Sequence, residues 1–172
     1  MVIAGIDPGS RYTGFVIYDD EKNRVLLAEV HDSEKQFRSP AYYTHQAIKY
    51  KVDQVFLEMP KGRGAKTVGE PIIQTAFMTG SFFAYFTISG FDVHLILRFQ
   101  VVKFLGDWCK SRGETLPRSR GDSWVSSVLL DYVGPKGSKK QPGPCYGVKS
   151  HAWAALAVAV TGPMMLRGRK NV

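Results

Sequence analysis

The chain is poor in cysteine: Cys109 and Cys145 stand far apart with no C-x-x-C spacing. Neither a zinc site nor a disulfide framework is indicated, and a reducing, cytoplasmic setting is expected. No run of about 18 apolar residues exists, so no membrane-spanning helix is expected. A leader is not expected either, because the first residues read as a strand running straight to Asp7. Repeats and linkers are also missing, which predicts a single domain over 1–172, long enough for a sizeable core. The last absence is of one charge sign. No acidic residue follows Asp131, whereas Lys136, Lys139, Lys140 and Lys149 do.

That asymmetry belongs to a formal net charge of +8, which implies a polyanionic partner, either a membrane surface or nucleic acid. Two further basic loops carry Lys61, Arg63 and Lys66, and Lys110, Arg112, Arg118 and Arg120. Separate basic loops without a basic amphipathic helix favour nucleic acid over membrane.

Hydrophobic periodicity and turn residues predict strands near 2–8, 13–19 and 24–30, forming a meander. A helix from Pro40 to Lys49 follows, with Pro40 suited to its first turn. A fourth strand covers 53–58, a long apolar helix 68–89 and a fifth strand 93–97. Helices near 99–110 and 121–133 precede a Gly/Pro/Lys loop over 134–147. An Ala-rich helix, 150–161, closes the pattern. The order describes an α/β mixed five-stranded sheet with helices on both faces.

Two carboxylates stand at ends of predicted strands. Ile3-Ala4-Gly5-Ile6-Asp7-Pro8-Gly9 is an apolar strand stopped at an acid, and Gly9 and Gly14 let the backbone turn tightly and approach a ligand. This opening occurs both in nucleases that hold metal with the Asp and in sugar-kinase/actin-like ATPases that use the turn for phosphate. The ATPase fold normally needs two such domains, and the chain has room for one. Glu58 ends Val55-Phe56-Leu57-Glu58 in the same way. If the two strands are parallel neighbours, Asp7 and Glu58 converge at one sheet edge and repel unless a cation lies between them. Hard oxygen ligands of this kind suit Mg²⁺ or Mn²⁺. The alternative for Glu58 is an ion pair with Lys61 or Arg63.

The string Gly5-Ile6-Asp7-Pro8-Gly9-Ser10-Arg11-Tyr12-Thr13-Gly14-Phe15 closely resembles the opening of the RuvC family of Holliday junction resolvases, which have an RNase H-like fold. Val55–Glu58 resembles that family's second motif, and Ser150–Ala159 its closing motif, where two acids three residues apart open the last helix. The resemblance implies a homodimeric, metal-dependent endonuclease that nicks opposed strands of a four-way DNA junction. It implies two ions per site, with Asp7 bridging them, Glu58 holding one and the closing motif the other. Two ions so held clamp the attacking and leaving oxygens of a phosphodiester.

The closing motif departs from the family pattern. His151 stands where the first acid is usual, and a neutral imidazole can serve there. Ala154 stands where the second acid is expected, and a methyl group cannot hold a cation. No acid follows in the sequence to replace it, so little cleavage is expected. Lys103 matches one of the family's lysines near the scissile phosphate, with a slip of about two residues; Asp122 falls near the place of another, just after Arg118 and Arg120. The resemblance also places Arg11 and the Lys61–Lys66 loop against DNA. Met59-Pro60-Lys61 offers no aromatic wedge for the junction centre. A YqgF-like nuclease acting on RNA or replication intermediates, and a non-catalytic junction-binding protein, are the alternatives.

Overall fold

A computed structural model describes residues 1–32, 39–60 and 69–169. The meander forms as expected, from β1 (Val2–Asp7), β2 (Tyr12–Asp19) and β3 (Arg24–Asp32). Next come α1 (Pro40–Lys49), β4 (Gln54–Met59), α2 (Glu70–Ile88) and β5 (Asp92–Leu97). Three helices complete the chain: α3 (Arg98–Ser111), α4 (Asp122–Tyr132) and α5 (Ala152–Arg169).

The sheet has five strands in the order β3-β2-β1-β4-β5. β1 pairs antiparallel with β2, β4 runs parallel to β1, and β5 runs parallel to β4. Alternate side chains along β1 therefore serve two different cores. Ile3 packs with Val101 and Leu105 of α3, Leu129 of α4 and Leu156 of α5. Ala4 and Ile6 point the other way, toward Tyr43 of α1 and Phe82 and Phe86 of α2. Helices on both faces follow from this alternation.

Helix α5 lies close against the sheet because glycine leaves room for it. A Cβ on Gly5 would fall 2.0 Å from the Ala155 carbonyl oxygen, and one on Gly14 2.3 Å from that of His151. Gly14 thus admits a helix backbone, where the sequence reading assigned it to ligand approach. The helix also runs beyond the expected end at 161, through Pro163 to Arg169. Proline there removes one backbone bond, but Met165 and Leu166 on the following turn still pack on the core, and that packing holds the helix together. Among the described residues, no helix is long and apolar enough to cross a membrane. Cys109 and Cys145 are both buried and free.

Candidate active site

The β1–β4 pairing aligns Ile6 with Leu57, so the next residues, Asp7 and Glu58, emerge side by side at one edge of the sheet. β4 aligns in turn with β5, Met59 opposite Leu97, so Arg98 follows at the same edge. Three adjacent parallel strands therefore deliver an acid, an acid and a guanidinium to one place. The edge opens into a cavity of about 630 Å³ whose lining includes Asp7, Glu58, Arg98, Asp122, His151 and Ala154.

His151 precedes the first turn of α5, and its carbonyl accepts the Ala155 amide at 3.3 Å. The preceding residue, Ser150, adopts a left-handed backbone with φ of 44°, a conformation uncommon outside glycine. The His151 Nδ1 donates to Asp7 Oδ2 at 3.2 Å. That hydrogen bond holds the imidazole above its ordinary pKa against partial burial. One ring face stacks on Tyr12, centroids 5.4 Å apart, and the Arg11 guanidinium lies over Tyr12 in turn. Aromatic stacking fixes the imidazole orientation at the cavity mouth.

Glu58 is in a different electrostatic state. Burial first, and then the Asp7 carboxylate, push its carboxyl up to about 8, while Arg98 acts in the opposite direction. The Arg98 Nη1 stands 3.6 Å from Glu58 Oε2, outside hydrogen-bonding range. Both atoms are buried and lack a hydrogen-bond partner among the described residues. The other guanidinium nitrogen, Nη2, is bound by Asp122.

Glu58 Oε2, beside a second acid, has the Arg98 guanidinium at ion-pair distance but no hydrogen bond, and so has room for a further positive partner. Asp7 and Glu58 are hard oxygen donors on rigid strand ends, and this donor set fits a divalent cation such as Mg²⁺ or Mn²⁺. Among the described residues, no group of three or more His, Cys, Asp or Glu side chains is drawn together tightly enough to enclose an ion. An ion here would need water or substrate oxygens to complete its shell.

Of the residues singled out in the sequence, the structure brings Asp7, Glu58, His151 and Ala154 into one cavity. Lys103 is not among the residues lining it. It lies on the exposed face of α3, paired with Asp107 at 2.7 Å, beside a separate groove with Phe99 and Phe104. Among the described residues, the cation lining the cavity is Arg98, which the sequence reading passed over. Asp122, read in the sequence only as standing near the place of a family lysine, lines the cavity as an acid, despite the expectation of no spare acid near Ala154. Arg98 carried a readable signal, since it directly follows an apolar strand as charge follows β1 and β4.

The basic residues are distributed differently from their sequence grouping. Lys110 and Arg112 lie at the far end of α3 from Arg98, roughly 20 Å along the helix axis. Arg112 stacks over Trp108 and pairs with Glu114 at 3.0 Å. Arg118 and Arg120 are exposed in the segment leading to the start of α4, and the Arg120 guanidinium lies against Gly106 midway along α3. Lys136 lies over the ring of Trp153, another cavity residue. Lys61, Arg63 and Lys66 lie outside the described residues.

No protein-family model and no curated protein sequence matches the chain significantly. Solved structures do share its fold. RuvC of Thermus thermophilus, in complex with Holliday junction substrate, aligns at a TM-score of 0.69 with 20% identity, covering 97% of this chain and 96% of that chain. A second Thermus thermophilus RuvC structure gives the same values. The yeast mitochondrial Holliday junction resolvase Ydc2 aligns at 0.57 with 11% identity, covering 95% of this chain and 78% of its own. The mixed sheet with helices on both faces is thus the RuvC-type, RNase H-like α/β fold.

Proposed function

From this fold and the cavity at its sheet edge, we infer that the protein is a nuclease of the Holliday junction resolvase type, acting on four-way DNA junctions with Mg²⁺ or Mn²⁺. The observation that carries the reading is the pair Asp7 and Glu58, held side by side at the ends of adjacent parallel strands, with a buried Glu58 oxygen that no group hydrogen-bonds among the described residues. A divalent cation bound there would supply charge neutralisation and polarise the phosphodiester. Asp7 and Glu58 orient toward it from the rigid sheet. His151, held by Asp7 and stacked on Tyr12, must release its proton before Nδ1 can serve as a ligand. The complete two-ion arrangement requires a carboxylate at 154, and Ala154 therefore leaves the chain with little cleavage.

Junction binding does not depend on that position. Arg11 at the cavity mouth and Arg118 and Arg120 before α4 offer phosphate contacts, to which the Lys61–Lys66 loop and Lys110 and Arg112 add positive field. Such binding follows junction shape and falls steeply with salt.

A homodimer belongs to the same reading. Ile73, Phe77, Gly80, Ala84 and Ile88 recur at helical spacing along one side of α2, opposite the buried Thr79, Phe82 and Phe86. Phe77 is 74% exposed and Ile88 86%, which fits a second copy packing on this stripe by two-fold symmetry. Ala154 supports one other reading, a junction-binding protein that does not cut. A YqgF-like activity on RNA hybrids is separated by offering branched DNA, duplex DNA and hybrids side by side.

The deciding experiment restores the acid. Ala154→Asp is expected to give Mg²⁺- or Mn²⁺-dependent paired nicks in a four-way junction, and Ala154→Asn much less. Adding Asp7→Asn is expected to abolish cutting while sparing junction binding. A folded Ala154→Asp protein that binds junctions but stays inert with either metal would refute the proposed ligand set. Equal affinity for junction and linear duplex at moderate salt would count against the resolvase reading as a whole.

A further inference from the structure

Arg98 occupies a position that a purely structural ion pair does not explain. It is the first residue of α3, whose first turn holds no acidic residue. A helix N-terminus carries partial positive charge and disfavours a cation there. Asp122 opens α4, where the same dipole favours an acid, and holds Arg98 Nη2 from that position. The guanidinium is thus anchored on one edge. Its other edge, Nη1, faces Glu58 Oε2 across 3.6 Å, and neither atom is hydrogen-bonded among the described residues. A structural bracket would close that gap, because leaving a buried donor and acceptor unpaired is unfavourable. The 3.6 Å contact is an ion pair without a hydrogen bond, and a cation on Glu58 with an anion on Arg98 would give each group a closer partner.

Resting on the nuclease reading above, we propose that Arg98 is a substrate-binding residue of this site. On the edge not held by Asp122, the guanidinium exchanges its 3.6 Å ion pair with Glu58 for an oxygen of the phosphate at the cavity, leaving Glu58 to the cation, and supplies the positive charge that a second metal ion would otherwise bring. Asp122 is the positioning residue that holds the guanidinium in place. The charge balance agrees with this assignment. Relative to a site with an acid at 154, the chain has one negative charge fewer at Ala154, while Arg98, charged at every working pH, and Asp122 offset each other in the same cavity. The missing acid reduces the demand for a second cation, and Arg98 places a fixed positive charge beside Glu58. A planar guanidinium also suits phosphate, since its two edges can serve Asp122 and a phosphoryl oxygen together. It does not generate a nucleophile, which accords with weak cutting by the unaltered chain.

Two measurements on the full chain test the proposal. Titration with Mn²⁺ alone, followed by electron paramagnetic resonance, is expected to show one ion per unaltered chain. Two ions of similar affinity would overturn the fixed-cation role. In junction binding without divalent metal, Arg98→Gln is expected to reduce the slope of log affinity against log salt by about one, the signature of one lost phosphate contact. Arg98→Lys is expected to keep the slope, because it keeps the charge. An unchanged slope in folded Arg98→Gln would overturn the phosphate contact. Should Arg98→Gln not fold, Arg98→Met gives the same reading, an unchanged slope again overturning the phosphate contact, and the ion count on the unaltered chain still decides the other half. Absence of Mn²⁺ binding in the unaltered and Ala154→Asp proteins alike would refute the metal-dependent reading itself, and the salt slope would then decide for Arg98 alone.

Discussion

Helices α5 and α2 are both apolar on nearly every side, yet one is sealed and the other open. In α5, Ala155 through Val160 are all buried. In α2, Phe82 and Phe86 are buried, while Ile73, Phe77 and Ile88 face outward. The difference lies in side-chain size. Small residues on α5 let its backbone approach β1 and β2 closely, so the sheet and the neighbouring helices α3 and α4 cover it. The bulky residues of α2 fill one interface with the sheet and leave a second stripe uncovered. All-round hydrophobicity thus predicts burial, and residue size decides whether the chain's own sheet provides it.

The largest expected effect comes from attacking the sealed helix. Gly5→Val places side-chain atoms into the Ala155 carbonyl, and backbone against backbone has no easy relief. A loss of about 3 kcal/mol in urea unfolding is expected; a loss below about 1 kcal/mol would show that α5 is not seated by this glycine.

The open helix should respond in assembly instead. Phe77→Asp is expected to weaken dimerisation about a hundredfold in sedimentation equilibrium, some 2.7 kcal/mol. Monomer stability should change by no more than about 0.5 kcal/mol. A monomeric unaltered chain at micromolar concentration would remove the basis for the contrast.

Glu58 lies at the sheet edge, in a cavity whose lining includes Thr75 of α2 and Ala154 of α5. Its carboxyl is raised on folding from 4.5 to about 8. Between those values the folded state retains a proton that the unfolded state has lost, so this group's contribution to stability falls as pH rises through that window. Glu58→Gln should therefore match the unaltered protein near pH 4 and exceed it at pH 8 by on the order of 2 kcal/mol without metal. Saturating Mg²⁺ should narrow the gap, because only the carboxylate gains from the ion. Denaturant midpoints with and without Mg²⁺ measure both effects.

The smallest change returns to α5. Pro163→Ala restores a backbone donor late in the helix, and about 1 kcal/mol of added stability is expected by thermal unfolding. No gain would mean that the turn after Pro163 is held by its core contacts alone.

Much of this was readable because strands that end in charge announce themselves. Asp7 and Glu58 each follow an apolar run and precede proline or a Met-Pro step, and parallel pairing then places them together. The same logic applied to Leu95-Ile96-Leu97-Arg98 would have found Arg98, but a basic residue there reads equally well as the start of a helix. The place of Asp122 was suggested by the family pattern, but its role in holding Arg98 was not, for another reason. It reaches the cavity only through the packing of α4 against α5 and α3, a long-range arrangement with no local signature. Lys103 shows the converse, since a plausible match in sequence lies on the wrong side of its helix to line the cavity. The continuation of α5 past Pro163 was equally illegible, because local propensity stops a helix there and tertiary contacts override it.

The central place of β1 has a consequence for the order in which the protein can become active. Its first strand waits for β4, more than forty residues later, to complete its pairing. The side bearing Ile3 and Val16 waits longer still, until α5 covers it. On a ribosome the meander therefore emerges early with an apolar face open, the kind of surface that chaperones hold and that aggregates when they do not. The cavity draws on residues 7, 58, 98, 122 and 151, spread over most of the chain. No nascent fragment short of α5 can hold His151 against Asp7, so synthesis itself keeps the site unassembled until the sheet is sealed.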